Sequence, residues 1–224
     1  MIEFRGVTKI YENGTVALDD LDLYIGRGEF VFILGHSGAG KSTMLKLILR
    51  EEVPTEGRII VGDYDLKKIK KRDIPYMRRN LGVVFQDFRL IPTMTAYENI
   101  AFAMRVTNIP PKKIRPRVAY VLELVGLTDK ARVFPAELSG GEQQRIALAR
   151  ALVHNPKIII ADEPTGNIDP EMSFEIMELL SKINNLGTTV MVVTHEQTMV
   201  RYFHRRTVAL KDGRLISDTG RAVE

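Results

Sequence analysis

Lys41 and Ser42 close the run Gly35-His36-Ser37-Gly38-Ala39-Gly40, directly after the apolar stretch Phe30–Leu34 and before a periodic segment carrying Leu45, Ile48 and Leu49. A cation and a hydroxyl behind a glycine-rich turn make a nucleotide phosphate cradle. Gly35, Gly38 and Gly40 let the backbone turn tightly with its N–H groups inward, the helix that follows points its positive end at the phosphates, and Lys41 adds a full charge near the outer ones. The Ser42 hydroxyl suits Mg²⁺, and His36, Ser37, Ala39 and Thr43 fill out the ring of residues around the ligand. A second constellation, Asp162-Glu163, follows the apolar run Ile158–Ala161. Two carboxylates at the end of a buried strand cost energy unless a cation is present. Asp162 can hold Mg²⁺ directly or through its water, and Glu163 is placed to accept a proton from the attacking water or to orient it. Gln86, just past Leu81–Phe85, carries an amide that can reach the ion or that water. His195, after Thr189–Thr194, can contact a γ-phosphate, although a histidine at a strand end is usually a satisfied polar group.

A third constellation is Leu138-Ser139-Gly140-Gly141-Glu142-Gln143-Gln144-Arg145. Ser139 and Glu142 have capping-box spacing, and Ile146, Ala149, Leu152 and Val153 continue a helical face. Two glycines in a first helical turn lower helix propensity yet bare N–H groups at a positive helix end, which phosphate binding needs and a simple cap does not.

The elements that must position these groups follow from periodicity. Leu34, Phe85, Ala161 and Val193 each end an apolar run. In a mostly parallel sheet such ends share one edge, where open α/β sheets bind ligands, so one site would collect the cradle, Gln86, Asp162, Glu163 and His195. Short strand-like pieces before the cradle, with a turn at Asn13-Gly14, predict antiparallel strands beside that sheet. Tyr11 among them is either an adenine-stacking ring or a core tyrosine. Between about Thr93 and Pro135 the pattern turns helical, with Tyr97, Ile100, Ala101 and Met104 on one face and Val118, Val121, Leu122 and Val125 on another, which predicts an inserted helical subdomain over about residues 88–137. Phe88, Leu90 and Ile91 at its junction are either a groove for a partner helix or ordinary packing. Thr207–Leu210, Asp212-Gly213 and Leu215-Ile216 predict a closing hairpin.

The 224 residues allow one large α/β domain spanning the chain. Cysteine is absent, which removes disulfides and thiolate metal sites and fits a reducing compartment. The start Met1-Ile2-Glu3-Phe4 has no signal-peptide pattern and no apolar run reaches membrane-span length, so the expectation is a soluble cytoplasmic chain. The net charge of +4 is modest. Lys67, Lys68, Lys70, Lys71 and Arg72 form a basic cluster that reads as a solvated face, with a membrane-proximal or phosphate-binding use left open. Without interleaved aromatics it does not predict nucleic-acid binding.

The cradle, Gln86, the string Leu138–Arg145, the run Ile158–Glu163, the turn through Asp169, and His195 together resemble the ABC-transporter ATPase family over essentially the whole chain. The string Leu138–Arg145 between a Gln-bearing strand and an acid-ending strand is the specific part, since many NTPases share the cradle alone. The resemblance implies a P-loop ATPase core with a mostly parallel sheet, an N-terminal antiparallel β subdomain and an inserted helical subdomain. It implies a head-to-tail homodimer in which ATP lies between Gly35–Ser42 of one subunit and Ser139–Gln143 of the other, including Gly140 and Gly141. By position, Tyr11 would stack on adenine, Ser42, Gln86 and Asp162 would hold Mg²⁺, Lys41, Glu163 and His195 would support hydrolysis, and Asp169 would communicate across the dimer. The segments Val83–Pro92, Thr95–Met104 and Glu137–Leu152 resemble the bacterial cell-division branch, with lipoprotein-release and macrolide-export ATPases similar in the same places. That branch implies a permease docked at Phe88, Leu90 and Ile91, a place on the cytoplasmic face of the cell membrane, and indirect activation of an extracellular peptidoglycan hydrolase with nothing transported. The competing readings are an export ATPase and a soluble ABC protein clamping nucleic acid or a ribosome.

Overall fold

The computed structural model describes residues 1–220. In chain order the elements are β1 (Ile2–Ile10), β2 (Val16–Ile25), β3 (Phe30–Leu34), α1 (Lys41–Ile48), β4 (Glu56–Val61), β5 (Tyr64–Asp65), α2 (Ile74–Arg78), β6 (Leu81–Val84) and α3 (Ala96–Arg105). They continue with α4 (Pro111–Leu124), α5 (Gly140–Leu152), β7 (Ile158–Asp162), α6 (Pro170–Asn185), β8 (Thr189–Thr194), α7 (Gln197–Phe203), β9 (Arg206–Lys211) and β10 (Arg214–Asp218). The architecture is the expected α/β class, with both parallel and antiparallel pairing. The chain forms two compact units, one of Met1–Arg79 together with the chain from Gly187 onward, the other of Asn80–Leu186. Among the described residues no helix is long and apolar enough to cross a membrane.

The first unit carries an antiparallel sheet in the order β2-β1-β4-β5. In β2, Leu21, Leu23 and Ile25 are buried while Asp22 and Tyr24 are exposed, and that alternation fixes one face inward. The register follows it, with Ile2 opposite Ile25 and Phe4 opposite Leu23 on one side, and Phe4 opposite Ile59 on the other. The parallel part has β3 between β8 and β9. Phe30–Ile33 and all of β8 are buried, as strands covered on both faces must be. The expected closing hairpin is present: β9 and β10 pair antiparallel across Asp212 and Gly213, both at positive φ. Asp-Gly is the sequence that a two-residue turn of this hand selects.

In the second unit β6 and β7 run parallel, with Leu81 opposite Ile158 and Val84 opposite Ala161. α3 begins in a capping box between Thr95 and Glu98 and buries Ile100, Ala101 and Met104 of the face its periodicity predicts, with Ala96 and Asn99 beside them, whereas Tyr97 is only half-buried. α4 starts with Pro111 in its first turn and tolerates Pro116 inside because Pro116 lies on the exposed side, where the freed carbonyl meets water. Arg117 on α4 donates through Nε and Nη2 to the carbonyls of Val153 and Leu152, at 2.9 and 2.8 Å. A cation thereby satisfies the carboxyl end of α5 and fixes that helix against α4.

Candidate nucleotide-binding site

In the first unit, β3 delivers the chain into the Gly35–Gly40 turn and α1 takes it away. The helix has Gly40 as its N-cap, no side-chain cap and no acidic residue in its first turn, so its leading N–H groups point back into the turn and no carboxylate of that first turn offsets their positive character. Gly40 sits at φ +98°, and a Cβ there would lie 2.5 Å from the Ala17 carbonyl oxygen and 2.8 Å from Leu18 Cδ2. Only glycine fits. The closing hairpin supports the turn from behind, the Gly213 N–H donating to the Ala39 carbonyl at 3.3 Å. The Lys41 ammonium donates to the Gly35 carbonyl and, at 3.3 Å, to that of His36, which folds the side chain back along the turn. Ser42 is exposed, Thr43 is buried, and His36 is an exposed side chain whose Nδ1 meets the Ser37 carbonyl oxygen at 2.8 Å.

Tyr11 lies in the turn after β1, half-buried, its hydroxyl 3.1 Å from Thr43 Oγ1. The ring is thereby tethered to the first turn of α1, with the Lys9 ammonium 5.0 Å from its centroid. β8 pairs with β3 so that Thr194 lies opposite Leu34. His195 and Gly35 therefore leave adjacent strand ends, and the His195 side chain is exposed.

The second unit gathers the acidic groups. Because Val84 is opposite Ala161, Gln86 and Asp162 emerge at the same edge of the β6–β7 pair. Asp162 and Glu163 are half-buried, and Glu163 holds a left-handed backbone at φ 46°. A non-glycine residue there stores roughly 1–2 kcal/mol of strain, of the kind found where a side chain must be aimed. Asn167 Nδ2 donates to the Gln86 carbonyl at 2.9 Å, and a Cβ on Gly166 would be 2.7 Å from Gln86 Nε2, so Gln86 packs against the loop that follows Glu163. Asp169 ends that loop as the N-cap of α6, its Oδ1 accepting from the Met172 N–H at 3.0 Å.

α5 opens as its spacing predicts. The Glu142 N–H donates to Ser139 Oγ at 3.2 Å, and the Ser139 N–H donates to Glu142 Oε2 at 2.8 Å. Ser139 is exposed, and the bond it accepts leaves its own O–H free to donate. The backbone N–H of Ser139, reinforced by the Lys130 ammonium 3.3 Å away, holds the Glu142 carboxyl below the usual carboxylate range despite desolvation. Gln143 Nε2 donates to the Leu138 carbonyl at 3.1 Å.

Four residues that sequence reasoning passed over organise this unit. Gln144 is fully buried and donates to the Pro164 carbonyl at 2.7 Å, tying α5 to the residue after Glu163. Arg150 holds the carbonyls of Phe88 and Arg89, at 2.8 and 2.6 Å. Buried Asn99 grips the same segment further on, donating to the carbonyls of Ile91, Met94 and Thr95 and accepting from the Ile91 N–H at 2.8 Å. Asn167 is the fourth. For two of them the signal in the sequence is a polar side chain on an apolar stripe: Gln144 shares one with Gly141, Leu148 and Leu152, and Asn99 one with Ala96 and Ile100. Phe88, Leu90 and Ile91 themselves are half-buried.

The model of the family described as ABC transporter matches residues 18–166. The cell division ATP-binding protein FtsE of Bacillus subtilis (strain 168) is 51% identical over 221 residues, covering 99% of this chain and 97% of its own length. FtsE of Escherichia coli (strain K12) is 42% identical, with 98% and 99% covered. A solved dimeric ATP-binding cassette in a post-hydrolysis state, bound to ADP and phosphate, superposes with a TM-score of 0.87 at 40% identity over 97% of each chain.

Proposed function

We propose, from the premise that this chain belongs to the ABC transporter family and is an ATPase of the cell-division type, that it closes as a homodimer around ATP and passes that motion to an FtsX-like integral membrane permease. The chain would sit peripherally on the cytoplasmic face of the membrane. The permease would carry the change across to a peptidoglycan hydrolase, with no cargo moved. The observation that carries the reading is the likeness to cell-division ATP-binding proteins over nearly the full length of both chains.

In this proposal each ATP lies between Gly35–Thr43 of one protomer and Ser139, Gly140, Gly141 and Gln143 of the other. The open N-terminus of α1 and Lys41 bind the phosphates. Tyr11, tethered to Thr43, offers its ring to the adenine. The exposed Ser139 hydroxyl donates to the outer phosphate while its lone pair keeps the cap. Glu163 accepts the proton of the attacking water, His195 contacts the γ-phosphate, and Asp169, at the start of α6, signals between protomers. Mg²⁺ fits the donor set. The Ser42 hydroxyl, the Gln86 amide oxygen and the Asp162 carboxylate are hard oxygen ligands, and among the described residues no cluster of three acid or imidazole side chains would hold a metal alone, as suits an ion that arrives on phosphate oxygens. When bound, the ion neutralises charge on the β- and γ-phosphates. The inserted helical subdomain, about residues 88–137, presents Phe88, Leu90 and Ile91 to the permease.

The test is affinity capture of tagged Glu163→Gln protein from detergent-solubilised membranes with Mg·ATP, with the copurifying proteins identified by mass spectrometry. An FtsX-like permease is the expected partner. A lipoprotein-release or macrolide-type permease would move the chain to the export branch, and ribosomal proteins alone would remove the membrane reading.

A further inference from the structure

The positive charge of this chain is concentrated in one place. Residues 67–79 hold Lys67, Lys68, Lys70, Lys71, Arg72, Arg78 and Arg79 against the single carboxylate Asp73, a net +6, whereas the whole chain is +4, so everything outside the segment sums to −2 (4 − 6). All seven cations are exposed. Neighbouring carboxylates offset only part of this charge: Asp73 lies 3.8 Å from Arg72, and Asp65, engaged by Arg58 at 2.8 Å, also attracts Lys68.

The segment is fastened to the first unit at a definite position. Arg78 Nε donates to the Leu49 carbonyl at 2.8 Å and Arg50 Nε to the Leu66 carbonyl at 2.9 Å, so the turn and α2 are held at the carboxyl end of α1. The phosphate cradle is at the other end of that helix. The cluster is therefore a separate surface from the nucleotide cradle. Beside the cations stands Tyr76, 57% exposed, with the Arg79 guanidinium 4.8 Å from its ring centroid. An amphipathic ring among lysines is the composition of a membrane-interface contact.

We propose that the Lys67–Arg79 surface binds anionic phospholipid headgroups directly, giving this chain a membrane contact of its own in addition to any permease. Lysines outnumber arginines four to one in the turn itself, and compact point charges suit a diffuse anionic surface, whereas the bidentate readout of a nucleic acid favours arginine. A single exposed aromatic also supplies no stacking platform for successive bases. The proposal does not depend on the permease, because its test uses the full chain alone.

The experiment is cosedimentation of the purified protein, in nucleotide-free buffer, with vesicles of phosphatidylcholine alone and of phosphatidylcholine mixed equally with phosphatidylglycerol. Binding is measured at about 0.1 M salt, where the screening length is about 10 Å, and at about 1 M, where it is about 3 Å. We expect binding to the anionic vesicles at the lower salt only. The quadruple variant Lys67→Ser, Lys68→Ser, Lys70→Ser, Lys71→Ser should bind at least about a hundredfold more weakly, at about fivefold per lysine, with unchanged ATPase activity as the check on folding. Tyr76→Ser should weaken the low-salt binding by less than the quadruple variant does. Removing a comparable charge from another exposed place, as Lys112→Ser, Lys113→Ser, Arg115→Ser, should leave most of the binding. Equal loss in both multiple variants would reduce the effect to net charge and overturn the proposal, as would no preference for anionic vesicles. Displacement of the protein from the vesicles by stoichiometric duplex DNA would reassign the surface to nucleic acid.

Discussion

Arg150 Nη2 donates to the carbonyl oxygen of Phe88 at 2.8 Å, while its Nη1 takes the carbonyl of Arg89. Both acceptor residues are non-glycine at φ 56° and 49°. Each left-handed residue costs roughly 1–2 kcal/mol, so the pair needs an outside constraint. Arg150 supplies it from the last turn of α5, and burial lowers its pKa without neutralising an arginine. Arg150→Met should destabilise the protein by about 2 kcal/mol, the scale of hydrogen bonds to a charged group, and should speed amide exchange over residues 86–92 more than elsewhere. Arg150→Lys should restore part of both. Uniform exchange across the second unit in Arg150→Met would show that the contact does not hold the segment.

The same segment is the proposed permease contact. Phe88 and Leu90 are half-buried, so an aspartate at either position can reach water in the free protein but would stand uncompensated in an apolar interface. Phe88→Asp and Leu90→Asp should each abolish copurification with the permease, leaving ATP affinity within about threefold of wild type, since one such group is worth at least 2 kcal/mol at an interface and nothing at the cradle. Undiminished copurification by both variants would place the docking site elsewhere.

Wherever one physical signal dominated, the sequence was a sufficient guide. The alternation in β2, the Asp212-Gly213 turn, the Ser139–Glu142 box and the apolar run of β3 each act through neighbours in the chain, and each element formed where its period placed it. Gln144, Arg150 and Asn99 were illegible for the opposite reason. Their partners, Pro164, Phe88 with Arg89, and Ile91, are 8 to 62 residues away, and a polar residue on a buried stripe looks like noise until its acceptor is located. The strain at Glu163 was hidden likewise, because nothing in a strand-ending acid pair announces a positive φ.

Gly40 tests the cradle from the backbone side. At φ +98°, with a Cβ 2.5 Å from the Ala17 carbonyl oxygen, an alanine cannot be accommodated without moving β2 or the turn. Gly40→Ala should lower stability by at least about 2 kcal/mol, from left-handed strain and the clash together, and should weaken ATP binding at least about tenfold. Gly38→Ala is the comparison: it shares a positive φ but has open space around its Cβ, so it should cost about half as much in a thermal melt.

Glu142 gives the capping box a pH signature. Its folded-state pKa lies below the unfolded value, chiefly through the Ser139 N–H and also through Lys130. A depressed carboxyl contributes stability that is complete above the unfolded pKa and is lost as pH falls through the folded one. Glu142→Gln keeps an acceptor for the cap but removes the charge. The difference in melting temperature between wild type and Glu142→Gln should therefore be constant near neutrality and shrink toward zero as the solution is acidified through the carboxylate range. A difference that grows on acidification would contradict the sign.

Glu163 joins strain to the proposed chemistry. As the base it should contribute about 10²–10⁴-fold to turnover, the usual span for a positioned proton acceptor. Glu163→Gln should lower kcat by that factor while retaining ATP, and light scattering should find the protein as an ATP-dependent dimer. Glu163→Gly separates the two roles of the residue. Removing the side chain abolishes the base, but glycine occupies φ 46° without the Cβ penalty. The relief of about 1–2 kcal/mol exceeds the 0.4–1 kcal/mol of extra chain entropy that glycine brings to the unfolded state. Glycine also removes the contacts of the Glu163 side chain, so the inactive Glu163→Gly protein should melt close to the wild-type temperature, the relieved strain offsetting the lost contacts, whereas a fall of many degrees would mean that the carboxylate stabilises the fold and that its turnover loss reports damage to structure as well as to chemistry.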